Sequence, residues 1–226
     1  GLFPEGEQKS LYTGLLNYCT RRFNRFDDRV FLAEYIEINK ALQAAGLFLE
    51  EGRLSPWRFL NVVSAGLRGG QTDWTLAFIR DYQHKLPEEF VQDCYLTAMG
   101  QYHYYQGEYG QAQVMFNQIN TRDVLLALTI RTFLARIYYE TGETELLLSH
   151  LEAFRIYLLR QELVSEVTKK QARLFVDFTR RLAKIDKPEA PQLHKLKAEL
   201  PATAEIYHRD WLLEQIGKKM AAWGIS

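Results

Sequence analysis

Apolar residues recur three and four positions apart along nearly the whole chain, and only six prolines interrupt them, at Pro4, Pro56, Pro87, Pro188, Pro191 and Pro201. This is the helical period. The stretch from Gln8 carries Leu11, Leu15, Cys19, Phe23 and Phe26, and the stretch from Asp28 carries Phe31, Leu32, Tyr35, Ile38 and Leu42. Strand-type alternation and Asn-Gly or Asp-Gly hairpin turns do not occur. The chain is therefore expected to be all-α, with helices near 8–26, 28–45, 57–68, 72–85, 88–106, 108–119, 122–141, 143–160, 165–184, 190–199 and 202–222.

The boundaries have physical causes. Ser55-Pro56 offers an N-cap followed by a proline at the first helical position. Leu86-Pro87-Glu88-Glu89 places proline and two carboxylates in a first turn, where the helix dipole favours them. Gly69-Gly70, Gly107 and Gly142 stand where helices should stop, because glycine tolerates the left-handed conformation beyond a helix C-terminus. Residues 46–56 read as the longest internal loop, and 185–191 as a charged, proline-bearing linker.

Composition removes several function classes. At 226 residues, with 47% hydrophobic and 25% charged, the chain can bury a full core and is not disordered. Its net charge is zero, which argues against a dedicated nucleic-acid binder. Cys19 and Cys94 lie far apart with no C-x-x-C, so neither a disulfide framework nor a structural zinc is expected. Two buried thiols suit a reducing compartment, and a cytoplasmic setting is expected. No apolar run reaches membrane-spanning length. The opening Gly-Leu-Phe-Pro-Glu-Gly does not read as a signal peptide.

The spacing of the glycine stops carries more information than their presence. Gly70 to Gly107 is 37 residues and Gly107 to Gly142 is 35, with two helices in each interval. Such a period signals a helical repeat array. The clearest unit holds Met99-Gly100, His103-Tyr104, Gly107-Glu108-Tyr109-Gly110-Gln111-Ala112 and Phe116. It resembles the tetratricopeptide repeat (TPR). Leu134-Ala135, Tyr138, Tyr139, Gly142 and Glu143 follow the same pattern, with Leu147 and Leu151 in place of the small residue and the aromatic. The earlier unit keeps Phe59, Gly70 and Pro87 but has Val63 and Thr75 where small residues are expected and Gly66 where a tyrosine belongs.

The resemblance covers about residues 57–160. It implies antiparallel helix pairs stacked into a right-handed superhelix, with Gly100 meeting Ala112 inside the pair and Tyr109 and Phe116 filling the space between units. Residues 1–56 would be N-terminal helices and a loop, and 161–226 capping helices that cover the terminal apolar face. The resemblance further implies a concave surface, lined by the first helix of each pair, that binds a peptide or protein. The matching positions are Asn61, Ser64 and Arg68, then Thr97, Gln101, Tyr104 and Tyr105, then Thr132, Arg136 and Tyr139. Of these, Asn61, Arg68, Gln101, Tyr104, Tyr105, Arg136 and Tyr139 are the expected partner-binding residues, since Tyr and Arg are enriched at interface hot spots. The Lys/Asn carboxylate clamp of chaperone-binding TPR domains is absent.

Catalytic chemistry leaves no trace. Phosphate-loop, H-E-x-x-H and G-x-S-x-G patterns are missing. Gly66-x-x-Gly69-Gly70 ends a helix, and a helix C-terminus repels phosphate. The five histidines are scattered, and adjacent acidic pairs such as Glu50-Glu51 point to different sides of a helix. No enzyme activity, metal or cofactor is expected. Residues 155–187 hold nine basic and four acidic side chains, interleaved with Phe175 and Phe178. An RNA-binding patch is one reading; a solvated basic face over an apolar one (Val164, Val167, Leu174, Phe178, Leu182) is the preferred one. The leading expectation is a protein-interaction scaffold. The alternative is a regulatory or sensory domain that binds a small ligand or short peptide between its N-terminal helices and the repeats.

Overall fold

The computed structural model describes residues 5–26, 29–162, 164–200 and 206–225, with the side chains of Glu5, Gln8, Lys9, Phe23, Asn24, Arg25 and Phe26 outside the description. It contains eleven α-helices and, among the described residues, no strand beyond a single Glu50–Arg53 bridge. The chain divides into two compact units, Gly1–Asn120 and Thr121–Ser226. The division falls inside the 57–160 span of the expected repeats, at the connection after the second glycine-terminated hairpin.

The first unit holds α1 (Glu5–Phe26), α2 (Arg29–Ala44), α3 (Pro56–Arg68), α4 (Thr72–Tyr82), a 3-10 turn (Gln83–Lys85), α5 (Glu88–Tyr105) and α6 (Tyr109–Asn117). Helix α1 packs on α2, α2 on α3, α3 on both α4 and α5, and α5 on α6. Phe48 anchors the 46–56 loop to the core, with ring centroids 5.6 Å from Phe78 and 5.0 Å from Tyr82, while Phe59 stacks on Phe78 at 5.5 Å. Pro56 opens α3 as expected, but Ser55 makes no side-chain cap bond. In α1 the apolar spacing does not all face the core: Cys19 is buried, while Leu11 and Leu15 are exposed.

The second unit holds α7 (Val124–Glu140), α8 (Thr144–Arg160), α9 (Glu166–Lys184), α10 (Ala190–Glu199) and α11 (Arg209–Ala222). Helix α8 packs on α7 and α9, and α10 and α11 pack on α9 and on each other. Two side-chain caps hold helix starts here: Asp123 accepts from Leu126 N at 3.0 Å and Ser165 from Thr168 N at 3.1 Å. The last helix starts at Arg209, seven residues later than its predicted start at 202. His208, just before it, has a left-handed backbone (φ 52°, ψ 41°) and cannot continue a helix from upstream.

The three glycine stops share one geometry. Gly70, Gly107 and Gly142 have φ of 71°, 75° and 75°. In each case the next residue's N–H reaches back to the last helical turn: Gln71 to Gly66 O at 2.8 Å, Glu108 to His103 O at 2.9 Å, Glu143 to Tyr138 O at 2.9 Å. This bond satisfies a carbonyl the helix leaves open, and the positive φ is the conformation glycine adopts without a Cβ clash. A new helix begins two residues after each glycine. The pairs α3–α4, α5–α6 and α7–α8 are thus three helical hairpins closed by the same turn.

The close approach inside the hairpins varies. A Cβ on Gly100 would lie 2.8 Å from the Phe116 ring, so Phe116 is the side chain that presses closest on Gly100 in this hairpin. In the first hairpin the close approach is one turn further along: a Cβ on Gly66 would lie 2.2 Å from Thr75 Oγ1. That explains a glycine where the pattern has a tyrosine.

Candidate functional site

The expected partner-binding residues separate into interior and surface. In the first unit Asn61 is exposed, and Arg68 and Tyr105 are partly exposed, but Tyr104 is buried and Gln101 is only 2% exposed. In the second unit Tyr139 is partly exposed and Arg136 is 4% exposed. The expected row of exposed side chains is therefore interrupted at Gln101, Tyr104 and Arg136. Thr97 and Thr132, on the same faces, are also buried and turn their hydroxyls to their own helix, to Asp93 O at 2.7 Å and Thr129 O at 2.8 Å.

On α7 the reason is the chain's own C-terminal segment. Arg136 Nη1 lies 3.1 Å from His208 Nδ1, and His208 Nε2 lies 3.3 Å from Thr132 Oγ1. With Nδ1 accepting from the guanidinium, the ring proton sits on Nε2 and faces the threonine. One turn along, Glu140 Oε1 accepts from Trp211 Nε1 at 2.8 Å and from Gln215 Nε2 at 2.7 Å. Trp211 also meets Tyr139 edge-on at 5.4 Å, and the Arg136 guanidinium lies 4.8 Å from the Phe133 ring and 5.6 Å from Trp211. Burial, and then the Glu140 carboxylate, push the Tyr139 hydroxyl up to about 12. The face of α7 that the resemblance assigned to a partner thus carries α11 and the residue before it.

In the first unit Arg68 opens onto a cleft of about 330 Å³ between α2 and the α3–α4 turn. Leu32, Ala33 and Ile36 form its apolar floor; Arg29, Glu37, Arg68 and Gln71 stand around it. The turn comes close to α2 at Gly69, where a Cβ would lie 2.5 Å from Ile36 Cδ1. Lys40 clips the two together, donating to Glu37 at 2.8 Å and to Gln71 Oε1 at 3.3 Å, with its ammonium 5.5 Å from the Trp74 ring. The cleft lies where the alternative reading expects a ligand, between the N-terminal helices and the repeats, and of its lining residues only Arg68 is among the expected site residues.

Five of the nine basic residues in 155–187 are held in ion pairs. Arg155 and Arg180 share Glu152, both at 2.6 Å, Lys169 and Arg173 pair with Glu166, and Arg181 pairs with Glu199. Hydrogen bonds from Arg155 and Arg180 hold the Glu152 carboxyl down to about 2. Phe175 and Phe178 are buried and cannot stack on bases, while Val167, expected inward, is exposed. Among the described residues no cluster of His, Cys, Asp or Glu could hold a metal, and no helix is long and apolar enough to cross a membrane. Cys19 and Cys94 are buried free thiols. No family model, curated protein or solved structure matches the chain.

One pH dependence follows from the second unit. His150 Nε2 donates to Arg131 O at 2.8 Å, and burial pushes the imidazole below its ordinary value of 6.5. The folded state then keeps His150 neutral while the unfolded state takes up a proton, so stability falls as pH drops below about 6.5. Glu152 acts in a separate window, because its stabilising ionised form is lost only as pH falls from 4.5 towards 2. The melting temperature should decline between pH 7 and 5, and His150→Gln should flatten that decline without changing the loss at lower pH. An unchanged slope in the variant would remove His150 as its source.

Proposed function

We propose that the chain is a non-catalytic interaction module, a TPR-like array of helical hairpins that recognises a peptide or protein partner. The observation that carries this reading is the recurrence of one glycine-closed helical hairpin at intervals of 37 and 35 residues. A chain built by repetition presents the same helix face several times, which suits extended recognition by shape and side chains. Asn61, Arg68 and Tyr105 are the residues expected to meet the partner, all on α3 and α5, which pack side by side. The face of α7 is covered by α11, so recognition is assigned to the first unit.

A second reading is favoured by the cleft. It lies between α2 and the first hairpin, its volume is at the small end for ligand pockets, and it joins an apolar floor to charged side chains. A small ligand or a short peptide end fits that description, and Arg68 belongs to both readings.

Panning a random peptide display library against the chain tests both. Peptides bound on the α3–α5 face should lose about thirtyfold or more in affinity in Tyr105→Ala, the hot-spot threshold, with an unchanged melting curve. Peptides held in the cleft should lose affinity in Arg29→Ala and keep it in Tyr105→Ala. Failure to select any peptide, or selection of peptides indifferent to Tyr105, Arg68 and Arg29, would overturn the interaction reading, and a cleft that takes up no compound from a small-molecule fragment screen read by Arg29→Ala would overturn the second.

A further inference from the structure

The cleft between α2 and the α3–α4 turn sets two guanidiniums against one carboxylate. Arg29 and Arg68 line it from different helices, and Glu37 is the acid among its lining residues. Glu37 is already met by Lys40 at 2.8 Å. Arg29 is exposed at the start of α2, and among the described residues no ion pair holds it. Arg68 is engaged within the fold, but a guanidinium carries five N–H donors and can hold a second acceptor beside the first. Gln71 accepts from Lys40 through Oε1, and its amide nitrogen remains a donor beside the cleft. Leu32 and Ile36 give the floor its carbon and are themselves buried, while Ala33 between them is small and exposed.

A ligand that matches this lining joins one negative charge to an apolar body. A cation would find Glu37 already taken by Lys40. A phosphate would leave the apolar floor uncovered, and its second charge would face both Glu37 and the C-terminal end of α3, which repels anions. A carboxylate carries a single charge and accepts from guanidinium in a planar, paired geometry. The volume of about 330 Å³ stands at the small end of the roughly 300–1,000 Å³ of ligand pockets, which suits a chain end and not a folded element. A chain that ends on an aliphatic residue supplies both parts from one Cα, the side chain and the free carboxylate. Resting on the reading of the cleft as a ligand site, we infer that it takes the C-terminal residue of a peptide chain. The aliphatic side chain sits on Leu32, Ala33 and Ile36, and the terminal carboxylate is held by Arg29 and Arg68.

A peptide library displayed with free C-termini, panned against the whole chain, tests this, with synthetic hexapeptides of the recovered sequences measured by fluorescence anisotropy. The recovered peptides should share Leu, Ile or Val at the last position. Amidation of the C-terminus should weaken binding at least about tenfold, because it removes the charge that both guanidiniums meet. Arg29→Gln should weaken the free acid at least about fivefold and leave the weak binding of the amide unchanged, and Arg29→Lys should recover part of the loss. Ala33→Trp should fill the cleft and abolish binding with melting unchanged, since Ala33 is exposed. A library with no common last residue, an amide that binds as tightly as the acid, or a free acid indifferent to Arg29→Gln would each overturn the inference. N-acetyl-leucine that competes as well as the whole hexapeptide would make a free acid the occupant and overturn the peptide assignment. Peptides that need Tyr105 but not a free carboxylate would overturn the inference and leave the interaction module standing. A neutral compound that binds and is excluded by Ala33→Trp would overturn the carboxylate and keep the cleft as a ligand site.

Discussion

Gly100→Leu should destabilise the first unit by about 1–3 kcal/mol, the cost of overpacking a tight contact. A Cβ at that position already lies 2.8 Å from the Phe116 ring, a contact real side chains do not make. Leucine adds three more carbons beyond it. Both residues are buried, so neither the new side chain nor the ring has solvent to move into. The melting temperature should fall by several degrees, and the loss should be far smaller for a glycine in open space such as Gly110→Leu. An unchanged melting temperature in Gly100→Leu would place the α5–α6 contact elsewhere.

Glu140→Leu should cost about 2–5 kcal/mol in the second unit, because it strands two buried donors at about 1–3 kcal/mol each. Trp211 Nε1 and Gln215 Nε2 both give their hydrogen bonds to Glu140 Oε1, and both residues are buried. Glu140→Gln keeps an acceptor oxygen in the same place and should lose less than half as much. Trp211 fluorescence reports the contact directly. It should respond to Glu140→Leu under conditions where the helical signal is still intact, since α11 loosens from α7 before the hairpin itself opens. Equal losses in the leucine and glutamine variants would show that the carboxylate charge, and not its acceptor role, holds α11.

The parts of this fold that could be read from sequence are those whose cause is local. Gly70, Gly107 and Gly142 were legible as helix stops because the left-handed turn needs glycine whatever the tertiary structure around it. The apolar spacing gave the helices for the same reason, to within a few residues nearly everywhere. What stayed hidden depends on residues distant in the chain. Arg136 and Gln101 are side-chain types found at surfaces, and only their surroundings bury them. His208 meets Arg136 across 72 residues and Trp211 meets Glu140 across 71, and no periodicity encodes such pairs. His208 also takes a left-handed backbone that its residue type does not announce. In α1, Leu11 and Leu15 satisfy the helical period equally well facing in or out. The place of the cleft beside Arg68 was expected as an alternative, but its lining was not, because Ile36 of α2 and Gly69 after α3 meet across 33 residues and no periodicity encodes that contact.

The central claim is that the glycine-closed hairpins are one repeated unit, so a double-mutant cycle that transplants one hairpin's contact into another tests it most directly. Ala135 and Leu151, both fully buried in the α7–α8 hairpin, stand 35 residues after Gly100 and Phe116. Gly100→Ala should destabilise by crowding Phe116, and Phe116→Leu should destabilise by leaving space. If the hairpins are equivalent, the double variant carries the third hairpin's own pair. It should then be more stable than the sum of the two losses implies, with a favourable coupling of about 1 kcal/mol or more by chemical denaturation. Strictly additive losses, within about 0.5 kcal/mol, would mean that Gly100 and Phe116 do not share the contact that Ala135 and Leu151 occupy, and would contradict the repeat.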